Sequence, residues 1–370
     1  GGDRARSARA GRQELRSAQV IIESLLPLGK LDPGLREPET PLDIRDFARL
    51  AAVAEGVGLG AVLVEETKDD PFQLLALGAT TTSRIQLGTS VAMAFPRSPT
   101  ATALSAWSLQ KLSNGRFLLG LGTQVRAHIE RRFGIKWEKP VKRLREMIQV
   151  IRAAWDTFQN NARPSFKGEF YEFSLMTPFF NPGPIEKPEI PIYIAGVNEL
   201  MCRLAGELCD GFHVHPFHTV KYLNEMVLPN IEQGAKKAGR STSACKLSTS
   251  AFVVVGDSAE ERKKMAAPAK QQIAFYASTP QYKAVLDAHG WGDTQAQLND
   301  RARSGDWAGM ADLITDEMLD VFAVTGTWDE IAGRIHAKYD GLLDRVGFYI
   351  PYRKGENADR WAKVIHAFNG

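Results

Sequence analysis

The chain has 370 residues, of which 44% are hydrophobic, and a formal net charge of +3. This length can bury a large core, and so small a charge gives no reason to expect nucleic acid as a partner. No apolar run is long enough to predict a membrane span. The three cysteines, Cys202, Cys209 and Cys245, lack metal-binding spacing, so we expect a reduced, cytoplasmic protein.

Residues 1–18 differ in composition from the rest, because five arginines are spaced among Ala, Ser and Gly. Such a segment can resemble an organelle transit peptide, but no initiating Met is present. We expect a mobile basic tail or a cloning remnant, without a function of its own. Residues 19–370 are expected to form one domain.

Eight short apolar runs follow this tail and predict β-strands. Most are nearly continuous, which is typical of strands that are covered on both faces. Helical patterns lie between them, with apolar faces in 44–57 and 144–158. Eight strands that alternate with helices are typical of a parallel αβ barrel. The strands are expected at 20–22, 61–64, 85–87, 117–119, 192–194, 211–214, 252–255 and 346–350.

The segment 83–126 gives the clearest strand–helix–strand pattern. Ser98 is a good N-cap, Pro99 suits the first helical position, and Asn114-Gly115 ends the helix after Leu112. The two strands therefore end on the same side, in the small residues 88–91 and 120–123. In a parallel barrel this is the side that carries active sites, and small residues leave room for a flat ligand.

Two separations between strands are longer than one helix requires, so we predict insertions after strands 4 and 7. The first, about 160–190, combines six prolines with six aromatic residues, which favours a packed cover or lid over a linker. The second, about 276–320, contains Tyr276, Tyr282, Trp291 and Trp307. Either insertion is a candidate wall of a substrate pocket, and packing on the barrel or at a subunit contact is the alternative.

Several motifs resemble the bacterial luciferase-like monooxygenase superfamily, and within it the branch that uses the deazaflavin coenzyme F420. The resemblance covers about residues 40–355 and implies a (β/α)8 TIM barrel of the luciferase-like type, an α/β fold, with the coenzyme across the carboxyl ends of the strands. It specifies no substrate. The motifs are LGTSV at 87–91, RSP at 97–99, LSNGRF at 112–117, LGLGT at 119–123, and the segments 66–72, 175–184, 192–198 and 210–217.

The resemblance also implies particular coenzyme contacts. A non-proline cis peptide often supports the central ring in such enzymes, and the matching bond joins Ser90 to Val91. Glu66, Gly122 and Thr123 are further expected contacts. Thr123 replaces the acidic proton donor of a sugar-phosphate dehydrogenase of the superfamily, which disfavours a glucose-6-phosphate type of mechanism.

A second expected coenzyme contact lies at Ala195-Gly196-Val197-Asn198, between a buried strand and a helix. Gly196 permits a close approach of the backbone, and Asn198 can cap the helix. Free N–H groups at a helix N-terminus favour an anion, so this junction is a candidate site for the coenzyme's phosphate.

Three of the seven histidines form the cluster His213, His215 and His218. Strand alternation predicts His213 and His215 on one face. A zinc hydrolase is one alternative, but amidohydrolase barrels carry their H-x-H on the first strand and a ligand Asp after the last, where this chain has Ile350-Pro351-Tyr352. We therefore predict no metal, and a catalytic role for His213 and His215 toward coenzyme or substrate, with ordinary core histidines as the alternative.

In relatives of this subgroup, a histidine that can act as a base often occupies the position of Asp69. The resemblance therefore assigns proton handling to Asp69. A carboxylate can also accept or relay a proton. Asp70 is expected either to share this role or to cap the helix that begins at Pro71.

The sequence thus predicts an F420-dependent oxidoreductase that transfers a hydride to or from a small organic substrate. Deazaflavin lacks the ring nitrogen through which flavins handle oxygen, which favours hydride transfer. The alternatives are an FMN-dependent monooxygenase with a reductase partner and a non-catalytic flavin-binding barrel. We expect a homodimer or higher homo-oligomer, and neither nucleic acid nor membrane as a partner.

Overall fold

The computed structural model describes residues 20–26, 43–349 and 358–369, and these contain a closed parallel barrel. The expected basic tail lies outside the described residues. The strands are β1 (Ile21–Leu26), β2 (Ala61–Val64), β3 (Gln86–Thr89), β4 (Ala92–Met93), β5 (Phe117–Gly122), β6 (Phe166–Lys167), β7 (Glu172–Phe173), β8 (Ile192–Gly196), β9 (Gly211–Val214), β10 (Lys246–Val255), β11 (Ala323–Gly326) and β12 (Arg345–Phe348).

Eight of these strands form the barrel wall in the order β1-β2-β3-β5-β8-β9-β10-β12, and β12 pairs again with β1. All these pairings are parallel, so the carboxyl ends of the strands meet at one mouth. The predicted (β/α)8 barrel is confirmed. Each of the eight predicted segments overlaps one of these strands, although 252–255 covers only the part of β10 that pairs with β11, and residue 350 lies outside the described residues.

Helices surround the barrel. The predicted face in 144–158 is buried along the helix Pro140–Asn160, and Phe47, Ala51 and Ala54 are buried on the helix that follows β1 in the described chain. The helices are Phe47–Gly56, Pro71–Thr81, Pro99–Leu112, Arg126–Phe133, Pro140–Asn160, Glu199–Leu208, Val220–Tyr222, Leu228–Lys237, Ala259–Ala277, Lys283–Asp287, Gly292–Ser304, Trp307–Met310, Asp316–Phe322, Ile331–Tyr339 and Ala358–Asn369, with a π-helical turn at Leu223–Val227 and 3-10 turns at Ile44–Asp46, Thr242–Ala244, Pro280–Tyr282 and Ala311–Leu313.

Three strand limits differ from the sequence prediction for identifiable reasons. The Ile85 N–H donates to the Glu55 carboxylate, so β3 begins one residue later than expected. β5 extends to Gly122 because its end pairs with β4. β10 begins at Lys246, before the predicted start at 252, because residues 246–251 pair with β9 and β12 in the barrel wall; the predicted residues 252–255 pair with β11.

The first insertion packs mainly on the helical layer. Its backbone carbonyls at Gly183 and Lys187 accept hydrogen bonds from Trp107 and Gln110 of the helix Pro99–Leu112. Phe179 and Phe180 remain 89% and 70% exposed. This part of the insertion therefore covers the side of the barrel and does not wall the mouth.

No helix within the described stretches combines the length and the apolar character that crossing a bilayer requires.

Candidate functional site

A backbone bulge of residues 90–93 lies at the carboxyl end of β3, between the ends of β2 and β5. The Ser90 N–H donates to the Val64 carbonyl at 2.7 Å, and the Ala94 N–H donates to the Gly122 carbonyl at 2.8 Å. The peptide bond between Ser90 and Val91 is cis, as predicted. The bulge is thus fixed to both neighbouring strands at the barrel mouth.

Glu66 supports this bulge from the end of β2. Its carboxylate accepts a hydrogen bond from the Met93 N–H at 2.7 Å and pairs with Arg97 at 2.8 Å. The same guanidinium pairs with Asp70 at 2.9 Å and lies over the Phe72 ring. Glu66 therefore has a supporting role in the structure, and a direct contact with coenzyme stays a prediction.

Two glycines of β5 allow the bulge to approach closely. A Cβ added to Gly120 would lie 1.9 Å from the Thr89 carbonyl oxygen, and one added to Gly122 would lie 2.4 Å from Val91 Cγ2. The Thr89 hydroxyl also donates to the Gly120 carbonyl at 2.6 Å. Thr123, which follows, is half-buried and its hydroxyl donates to the Gln124 carbonyl. No larger residue fits at either glycine without moving backbone or Val91.

The junction 195–198 follows β8 at the same mouth. Asn198 caps the helix Glu199–Leu208 as predicted, since its side chain accepts from the Met201 N–H at 3.0 Å. A Cβ on Gly196 would lie 2.5 Å from the Met201 Cβ. The helix therefore requires the small size of Gly196, and a close approach of a ligand to its backbone stays a prediction. The phosphate site itself stays a prediction.

The three histidines do not converge. His213 lies inside the barrel, whereas His215 is stacked on Tyr282 at 4.4 Å and meets the edge of Tyr276. His218 is buried, with Nε2 3.0 Å from the Tyr339 hydroxyl and Nδ1 3.0 Å from the His215 carbonyl. Among the residues described, no three His, Cys, Asp or Glu side chains are arranged to hold a metal ion.

His213 belongs to a buried polar network that the sequence analysis missed. The Ser248 hydroxyl donates to the Glu23 carboxylate and lies 3.2 Å from His213 Nδ1. Glu23 also accepts from Arg345 Nε at 2.7 Å, and each of these two charged side chains is about one-twentieth exposed or less. Because the single Ser248 proton is donated to Glu23, Ser248 accepts from His213, which places the His213 proton on Nδ1.

Among the described residues, this network leaves His213 Nε2 as a buried acceptor without a partner, facing the backbone of Gly120. Burial, together with the positive charge of Arg345, lowers the pKa of His213 to about 3. Burial also lowers the pKa of His215 to about 3 and that of His218 to about 4. The three imidazoles are therefore neutral at pH 7.

A pH-dependent stability follows from His213 and His218. Their pKa rises to the ordinary 6.5 on unfolding, so the unfolded chain binds more protons between these values. The stability that they contribute is complete above pH 6.5. As the pH falls below this value, the free energy of unfolding decreases by up to about 1.4 kcal/mol per pH unit for each group. We expect urea unfolding at pH 5.5 and pH 7 to show this loss. His218→Gln should reduce the slope, and the exposed His128→Gln should not.

Asp69 has no hydrogen bond or ion pair in the part of the chain that the structure describes, and it is partly exposed after β2. Asp70 differs, because its carboxylate caps the helix Pro71–Thr81 at the Phe72 N–H, 2.8 Å away, and pairs with Arg97. The alternative of Asp70 as a helix cap is confirmed. Of the carboxylates Glu66, Asp69 and Asp70, only Asp69 has no hydrogen-bond or ion-pair partner within the described chain.

A small cavity at the ends of β8 and β9 connects two predicted parts of the site, the 195–198 junction and His215. Second-insertion residues close it from one side, which agrees with a pocket wall for that insertion. Its lining includes Gly196, Val197, Val214, His215, Tyr222 and Tyr282. The structure therefore brings Ser90, Val91, Gly122 and Glu66 together in one cluster, and the junction and His215 in another.

The model of a known protein family, described as luciferase-like monooxygenase, matches residues 27–345. The chain belongs to the luciferase-like monooxygenase family. An uncharacterized protein of Mycobacterium tuberculosis is 41% identical over 306 residues, which cover 83% of this chain and 90% of the relative. The 5,10-methylenetetrahydromethanopterin reductase of Archaeoglobus fulgidus is 33% identical over 271 residues, which cover 72% and 76%.

A solved structure of this family gives the same fold. The coenzyme F420-dependent tetrahydromethanopterin reductase from Methanopyrus kandleri superposes with a TM-score of 0.71 at 22% identity, over 95% of this chain and 98% of that one. The resemblance inferred from the motifs, including its F420-dependent branch, is confirmed by these relatives. The chain is an oxidoreductase of the luciferase-like monooxygenase family.

Proposed function

We propose that this member of the luciferase-like monooxygenase family binds coenzyme F420 and transfers a hydride between it and a small organic substrate. The observation that carries the proposal is the bulge of residues 90–93, which Glu66 and β5 hold at the barrel mouth. Beside it, Gly120 and Gly122 contribute no side chains, so the bulge packs closely on β5 and can present its own residues to a flat ring. The family branch supports F420 as that ring.

The coenzyme, when bound, supplies a carbon centre that accepts or donates a hydride. The protein residues have three tasks. The bulge at Ser90 and Val91 supports the ring, and the 195–198 junction binds the phosphate through helix N–H groups. Asp69 holds or receives the substrate proton, since Glu66 and Asp70 are occupied by Arg97.

The neutral histidines fit binding and orientation better than acid catalysis. An imidazole with a pKa of about 3 is almost never protonated at pH 7, so His213 and His215 cannot serve as the acid there. His213 Nε2 is an acceptor below the bulge, and the ring of His215 is fixed between two tyrosines. We assign both to positioning, which revises the catalytic role expected from the sequence.

The test is an anaerobic titration of the purified protein with oxidised F420 and, separately, with FMN, followed by absorbance. Saturable binding of F420 and weak or no binding of FMN is expected. Tight FMN binding without F420 binding would support the FMN-dependent monooxygenase instead. Binding of neither would support a barrel without coenzyme chemistry.

The phosphate site is tested by Asn198→Asp. Asp caps a helix as well as Asn, so the bond to the Met201 N–H and the fold are expected to persist. The added negative charge would repel a phosphate at the same N-terminus, so binding of intact F420 should weaken by about tenfold. A tail-less deazaflavin should bind equally to both proteins. Equal affinities for intact F420 would place the phosphate elsewhere.

A further inference from the structure

Two mouth segments meet across the end of β3. The Thr67 loop follows β2, the helix Arg126–Phe133 follows β5, and β3 lies between these strands. Arg132 of this helix donates a hydrogen bond to the Thr67 carbonyl at 3.2 Å. Because the bulge of residues 90–93 lies at the end of β3, these two segments border it on both sides.

Three exposed cations occupy this border, and we name Lys68, Arg131 and Arg132 the basic rim. Within the described chain, none of the three forms an ion pair with a carboxylate. Asp69 is adjacent to Lys68, and Glu130, whose pKa is lowered first by its hydrogen bond to Arg126, also interacts with the charge of Arg131. Other arginines nearby are compensated. Arg126 pairs with Glu130 at 3.0 Å on the same helix, and Arg97 pairs with Glu66 and Asp70.

Arg132 is also held in place. Its guanidinium lies 4.8 Å from the centre of the Phe133 ring, in addition to its bond to Thr67. A guanidinium that is already oriented loses less entropy on binding an anion, and its remaining N–H groups match the oxygens of a carboxylate or phosphate. Cations without an ion-pair partner at a mouth also raise the local concentration of anions.

We propose that the basic rim binds an anionic group, a phosphate or a carboxylate, of a molecule whose reacting end lies over the bulge. The proposal rests on the proposed function of that bulge. The anionic group belongs either to the substrate, which would then be an organic acid or a phosphate ester, or to the coenzyme's tail. The chemistry recognised by the rim is the same in both cases.

The rim is tested without coenzyme by calorimetry with inorganic pyrophosphate. The variant K68Q/R131Q/R132Q removes the rim, and R84Q/K111Q/K236Q removes the same number of exposed cations at the opposite end of the barrel. We expect pyrophosphate to bind at least about fivefold more weakly to the rim variant, and the difference to vanish between about 50 mM and 500 mM KCl. No binding to the wild-type chain, or equal weakening in both variants, would overturn the proposal.

The source of the anion is then identified with intact F420 and a tail-less deazaflavin. If the rim variant loses affinity for intact F420 alone, the rim binds the coenzyme's tail. If both ligands bind as in the wild type, the rim binds the substrate. Absence of F420 binding to the wild-type chain would contradict the proposed function. The pyrophosphate experiment would still show whether the basic rim binds an anion.

Discussion

Replacing Glu23 with glutamine is expected to lower the free energy of unfolding by about 3–5 kcal/mol. Glu23 and Arg345 are each about 4% exposed, and their contact of 2.7 Å compensates the buried guanidinium. Glutamine preserves the size and one acceptor oxygen but removes the negative charge. Arg345 would then be a buried cation without a counter-charge, which is far more costly than an imperfect apolar contact.

Urea unfolding followed by fluorescence and circular dichroism measures this effect, once reversibility has been established. The double variant E23L/R345M is the matched control. Replacing both charges by apolar side chains of similar size is often neutral, so the double variant should recover most of the stability that E23Q loses. A wild-type midpoint for E23Q would show that the ion pair does not hold the barrel interior together.

This buried network is a feature of the barrel that could not be predicted from the sequence. The strand prediction ended at Ile22, because a charged residue is rarely expected inside a barrel. Glu23 is compensated by Ser248 and Arg345, which lie 225 and 322 residues away in the chain. No local sequence pattern can predict an interaction between residues so far apart in the chain. A charged residue beside an apolar strand segment, as at Glu23 and Arg345, was nevertheless an indication of a buried ion pair.

Local features were predictable because their causes are local. The caps at Asp70 and Asn198 depend on bonds two and three residues away, and the turn at Asn114-Gly115 needs two residues with positive φ. Ser98 occupies the predicted cap position, but its side chain makes no capping bond. The sequence therefore predicted correctly where this helix begins, but not whether the Ser98 side chain forms a capping hydrogen bond.

Gly196 shows a different limit of prediction from sequence. A glycine between a strand and a helix fits both a ligand approach and a close internal contact, and the sequence does not reveal the contact with Met201 that the structure shows. The bulge at Ser90 and Val91 was predictable from family resemblance alone. The unpredicted parts of β5 and β10 depend on pairing with β4 and with β9 and β12, which no single segment encodes.

Asp69→Asn is expected to slow hydride transfer in a single turnover by about 100-fold or more, with coenzyme affinity nearly unchanged. The asparagine keeps the size of the side chain but cannot take up or release the substrate proton. Asp69 is singled out because its neighbours Glu66 and Asp70 are bonded to Arg97, to the Met93 N–H and to the Phe72 N–H. Their carboxylates therefore stabilise the bulge and the start of the helix Pro71–Thr81.

The matched control is Asp70→Asn, one residue further along the same loop. It weakens the Arg97 pair but keeps a capping side chain, so we expect a moderate loss of stability with little change in the rate of the chemical step. His213→Ala and His215→Ala should alter coenzyme or substrate binding more than the rate, because both imidazoles are neutral at pH 7. Stopped-flow absorbance of F420 under single-turnover conditions measures all four variants. A full wild-type rate in Asp69→Asn would exclude this carboxylate as the proton carrier and would leave solvent or the substrate itself to supply the proton.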